Sequence, residues 1–269
     1  MKNYHQQFSH IYIEKQAEGY ELTKRVLARF PCARVIRIDH YKDVFNRSRQ
    51  NTAGQYRSRK IILAVRKGQR IFKGAPLCQD FGNRYFYYSS CMMNCVYDCE
   101  YCYLKGMYPS GNIVIFVNTE DYFRDVDLLL KDHPVYLCLS YDTDLAAANG
   151  FTGYTDLWRE YAAGKTDLTL ELRTKSAGKA IWREDKTYSP AENSNMIYAF
   201  TLSPQPVIDK YEHAAPSLKD RLECAAEGLE KGFRIRLCFD PVMYIPDWKE
   251  EYRELMDLTS RMLDMTKIT

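Results

Sequence analysis

The sequence predicts an α/β protein in which a partial, open β/α barrel follows a small N-terminal αβ domain. After about residue 82, short β-branched or aromatic runs alternate with segments of helical periodicity, which is typical of βα repeats around a parallel sheet. About six repeats are present, too few for the eight-fold closed barrel. We place the N-terminal domain at residues 1–80 and the barrel at residues 81–269.

Each element follows from a local pattern of apolar residues. In the N-terminal domain, strands are predicted at 11–13, 35–38 and 61–65, and a helix over residues 18–30. The barrel strands are predicted at 84–88, 112–117, 135–140, 168–173, 196–201 and 233–239. Functional residues are expected where the βα loops leave the carboxyl ends of these strands.

Two barrel helices have recognisable ends. One is predicted to begin at Thr119, which acidic residues follow. Another begins at Ser217, where Asp220 three residues later forms a capping-box-like start, and it ends at Gly232.

Composition limits the classes of protein to which the chain can belong. The chain has 269 residues, is 46% hydrophobic and can bury a full core. No stretch approaches the roughly 20 apolar residues of a membrane helix. The N-terminus has no apolar segment of a secretory signal, so we expect a soluble, cytoplasmic protein with no membrane partner.

Net charge is mild at +3 and does not by itself indicate nucleic acid. A local basic run over residues 56–73 includes Tyr56 and Phe72 among its charges. Such a run can neutralise phosphates while its aromatic rings stack on bases. A solvated basic face is the alternative and the commoner explanation.

The most informative motif is a cysteine triplet, Cys95, Cys99 and Cys102, which follows the first barrel strand. Three thiolates without a fourth partner at matching spacing are the ligand set of an iron-sulfur cluster with one open iron. Cys91 repeats the first spacing upstream, but its third thiolate would fall on Asp98, so we do not expect it to be a ligand. A structural zinc site, which normally has four ligands, or a chance cluster of thiols is the alternative.

These residues resemble the radical S-adenosylmethionine (SAM) enzymes, and further runs resemble their spore photoproduct lyase family. The supporting runs are Gln55 to Arg57 before an apolar strand, Leu172 to Lys175, Arg221 to Gly232, and Asp240 to Tyr244. The resemblance covers nearly the whole chain and implies a partial (β/α)6 radical SAM barrel.

The resemblance implies a reaction and its cofactors. A reduced 4Fe-4S cluster, bound by Cys95, Cys99 and Cys102, would pass one electron to SAM and generate a 5′-deoxyadenosyl radical. In this family the radical abstracts hydrogen from a thymine dimer in DNA, which then separates into two thymines. The implied partners are damaged, pyrimidine-containing DNA and a small electron-transfer protein such as a ferredoxin or flavodoxin. A radical SAM enzyme with another substrate, or a non-enzymatic metal-stabilised nucleic-acid-binding protein, is the alternative.

Matched residue by residue, the resemblance places Thr143 and Asp144 beside SAM, Lys175 at its carboxylate, and Thr201 as a hydroxyl on the fifth strand. Lys175 is equally explained as a surface lysine that ends a strand, and Asp144 as a helix cap.

Two tyrosines of the cysteine loop also match family positions. Tyr101 corresponds to an aromatic residue near the adenine, and Tyr103 to a tyrosine of the radical relay. The chain contains 22 tyrosines, so packing is the usual role of any one of them.

The chain departs from the family at two places. The lyases have a hydrogen-donating cysteine three residues before the aspartate matched by Asp144, and Tyr141 stands here instead, as a different candidate donor. Cys138 lies about 10 Å from that position along an extended strand, and we do not expect it to substitute. The family also continues beyond the position of Thr269, so the chain is expected to be truncated or to lack a lesion-binding hairpin.

Overall fold

The computed structural model describes residues 8–178, 181–182 and 195–269. Within them the strands are β1 His10–Glu14, β2 Arg34–Ile38, β3 Ile61–Ala64, β4 Ile71–Lys73, β5 Phe86–Ser89, β6 Met92–Met93, β7 Asp98–Cys99, β8 Ile113–Phe116, β9 Val135–Cys138, β10 Leu168–Thr174, β11 Met196–Thr201, β12 Glu212–His213 and β13 Arg234–Cys238.

The helices of the same residues lie between these strands or follow the last of them. They are α1 Glu21–Arg29, α2 Lys42–Phe45, α3 Thr52–Arg57, α4 Leu104–Met107, α5 Thr119–Leu130, α6 Leu145–Thr152, α7 Tyr154–Ala162, α8 Gln205–Tyr211, α9 Leu218–Glu230 and α10 Trp248–Met262. Short 3-10 turns cover Lys15–Ala17 and Met265–Lys267.

The larger sheet has the order β13-β11-β10-β9-β5-β4. Strands β5, β9, β10, β11 and β13 run parallel, and β4 joins the edge antiparallel to β5. Parallel strands need crossover connections. Helix α5 lies before β9, α6 and α7 lie between β9 and β10, and α8 and α9 lie between β11 and β13. The predicted strands at 84–88, 135–140, 168–173, 196–201 and 233–239 are confirmed as this array.

The smaller sheet has the order β2-β1-β3-β8-β6. It confirms the N-terminal strands and helix α1, and it also contains β8, the strand predicted at 112–117. In β8, Ile113 to Phe116 pair in parallel with Ile61 to Ala64. Strand β8 therefore belongs to the N-terminal layer, and β5 and β9 are direct neighbours in the larger sheet.

Strands from both sides of residue 80 thus occur in each sheet. Strands β6 and β8 join the N-terminal layer, and β4 joins the barrel sheet. The division into residues 1–80 and 81–269 stays a prediction.

The helix ends agree with the sequence. Ser217 and Asp220 form a reciprocal capping box at the start of α9. Gly232 follows that helix with φ +79°, a left-handed conformation that glycine adopts without a steric penalty. Helix α5 begins at Thr119 with acidic residues in its first turn.

The two faces of the larger sheet differ. One face packs against the helices in the main core. The other, which we call the inner face, carries a second cluster of four buried side chains, Phe86, Tyr136, Cys138 and Ile197. Residues 74–85, between β4 and β5, place Cys78 and Phe81 against this cluster.

The inner face also holds a buried ionic group. The fully buried Glu171 accepts hydrogen bonds from Tyr136, Arg173 and Arg236. The Arg236 guanidinium lies 3.7 Å from the centroid of the Phe81 ring. The segment 74–85 is therefore fixed to the inner face by both apolar and cation-π contacts.

Among the described residues, no helix is long and apolar enough to cross a membrane.

Candidate iron-sulfur and SAM site

The cysteine triplet lies in the loop that follows β5, as predicted. Cys99 is buried in β7, where it pairs with Glu212 of β12. Cys95 and Cys102 are partly exposed and line one small pocket together with Tyr56, Asn94, Tyr97, Leu104 and Lys105. Burial raises the pKa of the Cys95 thiol, and it raises that of Cys99 to about 11.

Cys91 lies outside this site, in agreement with the sequence. Its side chain is buried in the main core, and its sulfur is 3.6 Å from the Ser89 hydroxyl. Burial raises the pKa of the Cys91 thiol to about 12, so it stays a protonated core residue.

The donor set fits a cluster better than a single ion. A tetrahedral zinc ion gathers its sulfur ligands within about 2.3 Å of one centre. A structural zinc site normally has four ligands, and the loop supplies three cysteines. A cluster distributes its thiolates over several irons, and the three thiols of one loop match that requirement.

Two side chains hold the loop in its conformation. Asn94, directly before Cys95, has φ +66°, and its amide donates to the carbonyls of Ser110 and Asn112 at 2.6 and 2.7 Å. The Arg59 guanidinium donates to the Cys95 carbonyl, and at 2.9 Å to the Tyr97 carbonyl. Arg59 is 3% exposed, so this contact is a buried clamp from the N-terminal layer.

Several arginines of the basic run at 56–73 thus make their contacts inside the protein. Arg70 binds Asp125 through two nitrogens at 2.8 and 2.9 Å. Arg66 lies over the Phe72 and Phe116 rings. Buried or paired arginines are unavailable to phosphates, which weakens the interpretation of this run as a nucleic-acid surface.

Tyr101 belongs to a buried network behind the loop. Its hydroxyl donates to the Glu212 carboxylate, which also accepts from Ser203 at 2.9 Å and pairs with Arg221 at 2.5 Å. The Lys175 ammonium lies 5.6 Å from the centroid of the Tyr101 ring. The structure therefore brings Tyr101 and Lys175 together beside the cysteine loop.

Thr143 and Asp144 follow β9, and their side chains differ in bonding. Asp144 caps α6 and accepts from the Ala147 amide at 3.0 Å, the Thr174 hydroxyl at 2.8 Å and the Lys175 amide at 2.8 Å. Burial raises the pKa of its carboxyl despite these bonds. The Thr143 hydroxyl is buried and has no hydrogen-bond partner among the described residues.

Thr201 ends β11 and is 7% exposed. Its carbonyl accepts from Arg221 at 3.0 Å, which joins this strand end to the Glu212 network. Thr201, Lys175 and Thr143 therefore follow or end three neighbouring strands of the parallel array, as the βα-loop argument predicts.

Tyr103 and Tyr141 are in contact. The Tyr103 side chain is largely exposed, and its hydroxyl donates to the Tyr141 carbonyl at 2.5 Å. The Tyr141 ring stacks on Tyr88 with centroids 4.1 Å apart. Its hydroxyl lies 3.8 Å from the Cys78 sulfur.

Sequence reasoning missed four residues of this region: Arg59, Cys78, Glu212 and Arg221. Arg59 lies in the basic run and Arg221 in the run that matches the late helix of the family, but no local pattern distinguishes a buried arginine from an exposed one. Cys78 lies 63 positions from Tyr141 in the chain, in a segment without periodicity.

Comparison with known proteins identifies close structural relatives. A sequence profile of the spore photoproduct lyase family matches residues 7–268. The chain is 24% identical over 263 residues to the spore photoproduct lyase of Clostridium acetobutylicum, a match that covers 95% of this chain and 75% of that protein. It is 23% identical over 256 residues to that of Bacillus subtilis, with 92% and 71% covered.

Comparison with solved structures leads to the same family as the sequence comparison. A double mutant of spore photoproduct lyase with bound AdoMet and dinucleoside spore photoproduct superposes with a TM-score of 0.82 at 19% identity, over 97% of this chain and 76% of that one. A complex of the lyase with dinucleoside spore photoproduct gives 0.81 at 18% identity, over 96% and 74%. The predicted α/β fold class is confirmed by these matches.

Proposed function

The chain belongs to the spore photoproduct lyase family, and on that basis we propose that it is a radical SAM lyase that repairs a thymine-dimer lesion in DNA. The observation that carries this proposal is the family match over residues 7–268, which includes a three-cysteine loop at the strand ends. Tyr141 stands in place of the hydrogen-donating cysteine of the lyases, which acts late in the reaction. This replacement does not change the three cysteines that would start the reaction.

Cys95, Cys99 and Cys102 are the residues that would hold a 4Fe-4S cluster. When bound, the cluster and SAM supply a 5′-deoxyadenosyl radical for hydrogen abstraction. Asn94 and Arg59 fix the backbone of the loop, so the three thiols are presented from one rigid segment.

The residues around the loop are suited to SAM. The Lys175 ammonium is a point charge for the carboxylate of SAM, and Tyr101 presents an aromatic ring for the adenine. The unpartnered Thr143 hydroxyl offers a further hydrogen bond, and Thr201 lies at the neighbouring strand end. Asp144 orients this corner by binding the backbone of Lys175, so its role here is positioning.

The partners follow from the same site. The DNA lesion is proposed as the substrate because related structures contain dinucleoside spore photoproduct. Cys102 and Tyr103 are accessible at the surface, which supports reduction by a small protein such as a ferredoxin or flavodoxin. All nine cysteines are free thiols, which supports a reducing, cytoplasmic compartment.

The test is a reaction under anaerobic conditions with reconstituted protein, dithionite, SAM and dinucleoside spore photoproduct. We expect release of 5′-deoxyadenosine and formation of the thymine dinucleotide. Cys99→Ala should abolish both, because it removes a proposed cluster ligand, whereas Cys32→Ala removes an exposed thiol outside the triplet and should retain both. A wild-type protein with a full complement of iron and sulfide that releases no 5′-deoxyadenosine would contradict the proposal.

A second candidate is radical SAM chemistry on another substrate, which Tyr141 favours because it stands where the lyases of the family have their hydrogen-donating cysteine. Deuterated candidate substrates separate the two. Deuterium that enters 5′-deoxyadenosine from another compound, and not from the spore photoproduct, would support this second candidate.

A further inference from the structure

A polar cavity of about 350 Å³ lies in the N-terminal layer. Lys60 and Asn112, which directly precede β3 and β8, form one wall, and the loop after α2 forms another. A volume of this size is within the range of small-molecule sites, about 300–1,000 Å³. None of its lining residues also lines the pocket of the cysteine loop, so the cavity is a separate site.

The lining of this cavity is cationic. Arg47, Arg49 and Lys60 line it, and no aspartate or glutamate is among the described residues that do so. These three side chains form no ion pair with a described residue. The Lys60 ammonium binds the hydroxyls of Ser9 and Ser58 at 2.7 and 2.9 Å, which leaves its charge unneutralised. A concave surface with charges of one sign concentrates ligands of the opposite sign.

The loop that carries the two arginines is fixed by a neighbouring side chain. The Gln50 amide donates to the Phe45 carbonyl at 2.7 Å and to the Pro109 carbonyl at 3.1 Å. Arg49 has φ +56°, a left-handed conformation that is uncommon for residues other than glycine. Because the loop is already ordered, a ligand that binds Arg47 and Arg49 pays less conformational entropy.

A buried amide supplies a further donor. Asn112 is 3% exposed and lines the cavity. Its side-chain oxygen accepts from the Lys60 amide at 3.0 Å, and no described residue accepts from its side-chain nitrogen. Because the oxygen is already bound, the N–H groups are what Asn112 offers to a ligand.

We propose that this cavity binds the phosphate monoester of a nucleotide. A phosphate monoester carries between one and two negative charges at neutral pH, which the three cations match. Guanidinium groups bind phosphate oxygens in pairs, and the ammonium of Lys60 adds a point charge. The half-buried side chains of Tyr12 and Val44 give the cavity an apolar part for the remainder of the nucleotide. This site is additional to the proposed lyase function and does not depend on it.

The experiment is isothermal titration calorimetry of the reconstituted full-length protein under anaerobic conditions, without reductant. Saturating SAM is present, so that the adenine part of the SAM site is occupied. We expect AMP to bind, inorganic phosphate to compete with AMP, and adenosine to bind about tenfold more weakly or less, because it lacks the phosphate.

Variants locate the site. Arg47→Gln combined with Arg49→Gln should weaken AMP binding about tenfold or more, because it removes both guanidinium groups. Both side chains are exposed, and circular dichroism shows that the double variant is folded. Arg34→Gln is the matched control, because Arg34 is an exposed arginine of β2 outside the lining, and it should leave AMP binding unchanged.

A further titration identifies the source of the phosphate. A free nucleotide and the 5′ end of a nucleic acid strand present the same group. Displacement of AMP by a 5′-phosphorylated dinucleotide would assign the site to strand ends, and no displacement would assign it to free nucleotides.

Two results would overturn the proposal. Equal affinity for AMP in the wild type and in the double arginine variant would place AMP outside this cavity. No binding of either AMP or inorganic phosphate would show that the cavity takes no phosphate ligand. Neither result depends on release of 5′-deoxyadenosine, so failure of the lyase function is distinguishable.

Discussion

Glu212 is the buried carboxylate on which the network behind the cysteine loop depends. Burial alone would raise the pKa of its carboxyl, but the charges of Arg221 and Lys175 and the hydrogen bonds from Tyr101 and Arg221 bring it below the ordinary value of 4.5. A carboxyl with a lowered folded-state pKa stabilises the protein above its unfolded-state pKa, and that contribution disappears as the pH falls through the folded-state pKa.

We therefore expect Glu212→Gln to lower the free energy of unfolding at neutral pH by about 3–5 kcal/mol, because it leaves the fully buried Arg221 without a counter-ion. Glu100→Gln, whose residue pairs with His213 at the surface, is the control and should change it by less than about 0.5 kcal/mol. Denaturant unfolding measures both. The gap between wild type and Glu212→Gln should narrow below about pH 4.5, and a gap independent of pH would contradict this account.

For single residues, the sequence identifies the reactive groups but not the side chains that surround them in the folded protein. Cys95, Cys99 and Cys102 are recognisable because their spacing is local. The contact of Cys78 with Tyr141 depends on how residues 74–85 cross the inner face, and no local pattern carries that information. Asp144 illustrates a third case, since its helix-cap alternative is confirmed by the structure.

The cysteine loop is the element whose geometry depends most on a distant residue. Arg59 follows α3 in the N-terminal layer and donates to two loop carbonyls. Loss of this guanidinium leaves both carbonyls without their donor in a buried setting, which costs free energy and loosens the loop.

We expect Arg59→Gln to weaken retention of the cluster by about 10–100-fold, the usual effect of losing a supporting contact around metal ligands. Arg57→Gln is the matched control, because Arg57 is exposed and two residues away. Iron release to a chelator measures retention. Equal rates for the two variants would show that Arg59 does not support the loop.

The strands show what periodicity predicts and what it cannot. Runs of β-branched and aromatic residues located every strand of the parallel array to within a few residues. The run at 112–117 was also found, but its neighbour was not, because four consecutive buried residues fit either sheet. Pairing with Ile61 to Ala64 is a property of the tertiary structure. The short strands β4, β6, β7 and β12 are too brief to produce a pattern.

In the whole molecule, the two sheets exchange strands across residue 80. Strands β6 and β8 follow that position in sequence but belong to the N-terminal layer, and Arg59 ties that layer to the cysteine loop. A division into two independently stable parts is therefore not expected, and unfolding should be one cooperative transition.

Ile62→Ala tests this expectation. Ile62 is fully buried in β3, and its truncation should cost about 2–5 kcal/mol. All three tryptophans lie after residue 80, so tryptophan fluorescence reports on the barrel alone. We expect the fluorescence midpoint and the circular dichroism midpoint to fall together. A fluorescence midpoint that stays unchanged would show that the barrel unfolds independently of the N-terminal layer.

The segment 74–85 lies outside both sheets and crosses the inner face, and this has an evolutionary consequence. A reactive side chain on such a connection is not constrained by strand register, so its gain or loss by point mutation leaves the scaffold unchanged. The residues that cover this part of the inner face and the three cysteines of the loop are in this way encoded in separate stretches of the gene, and each can diverge without the other.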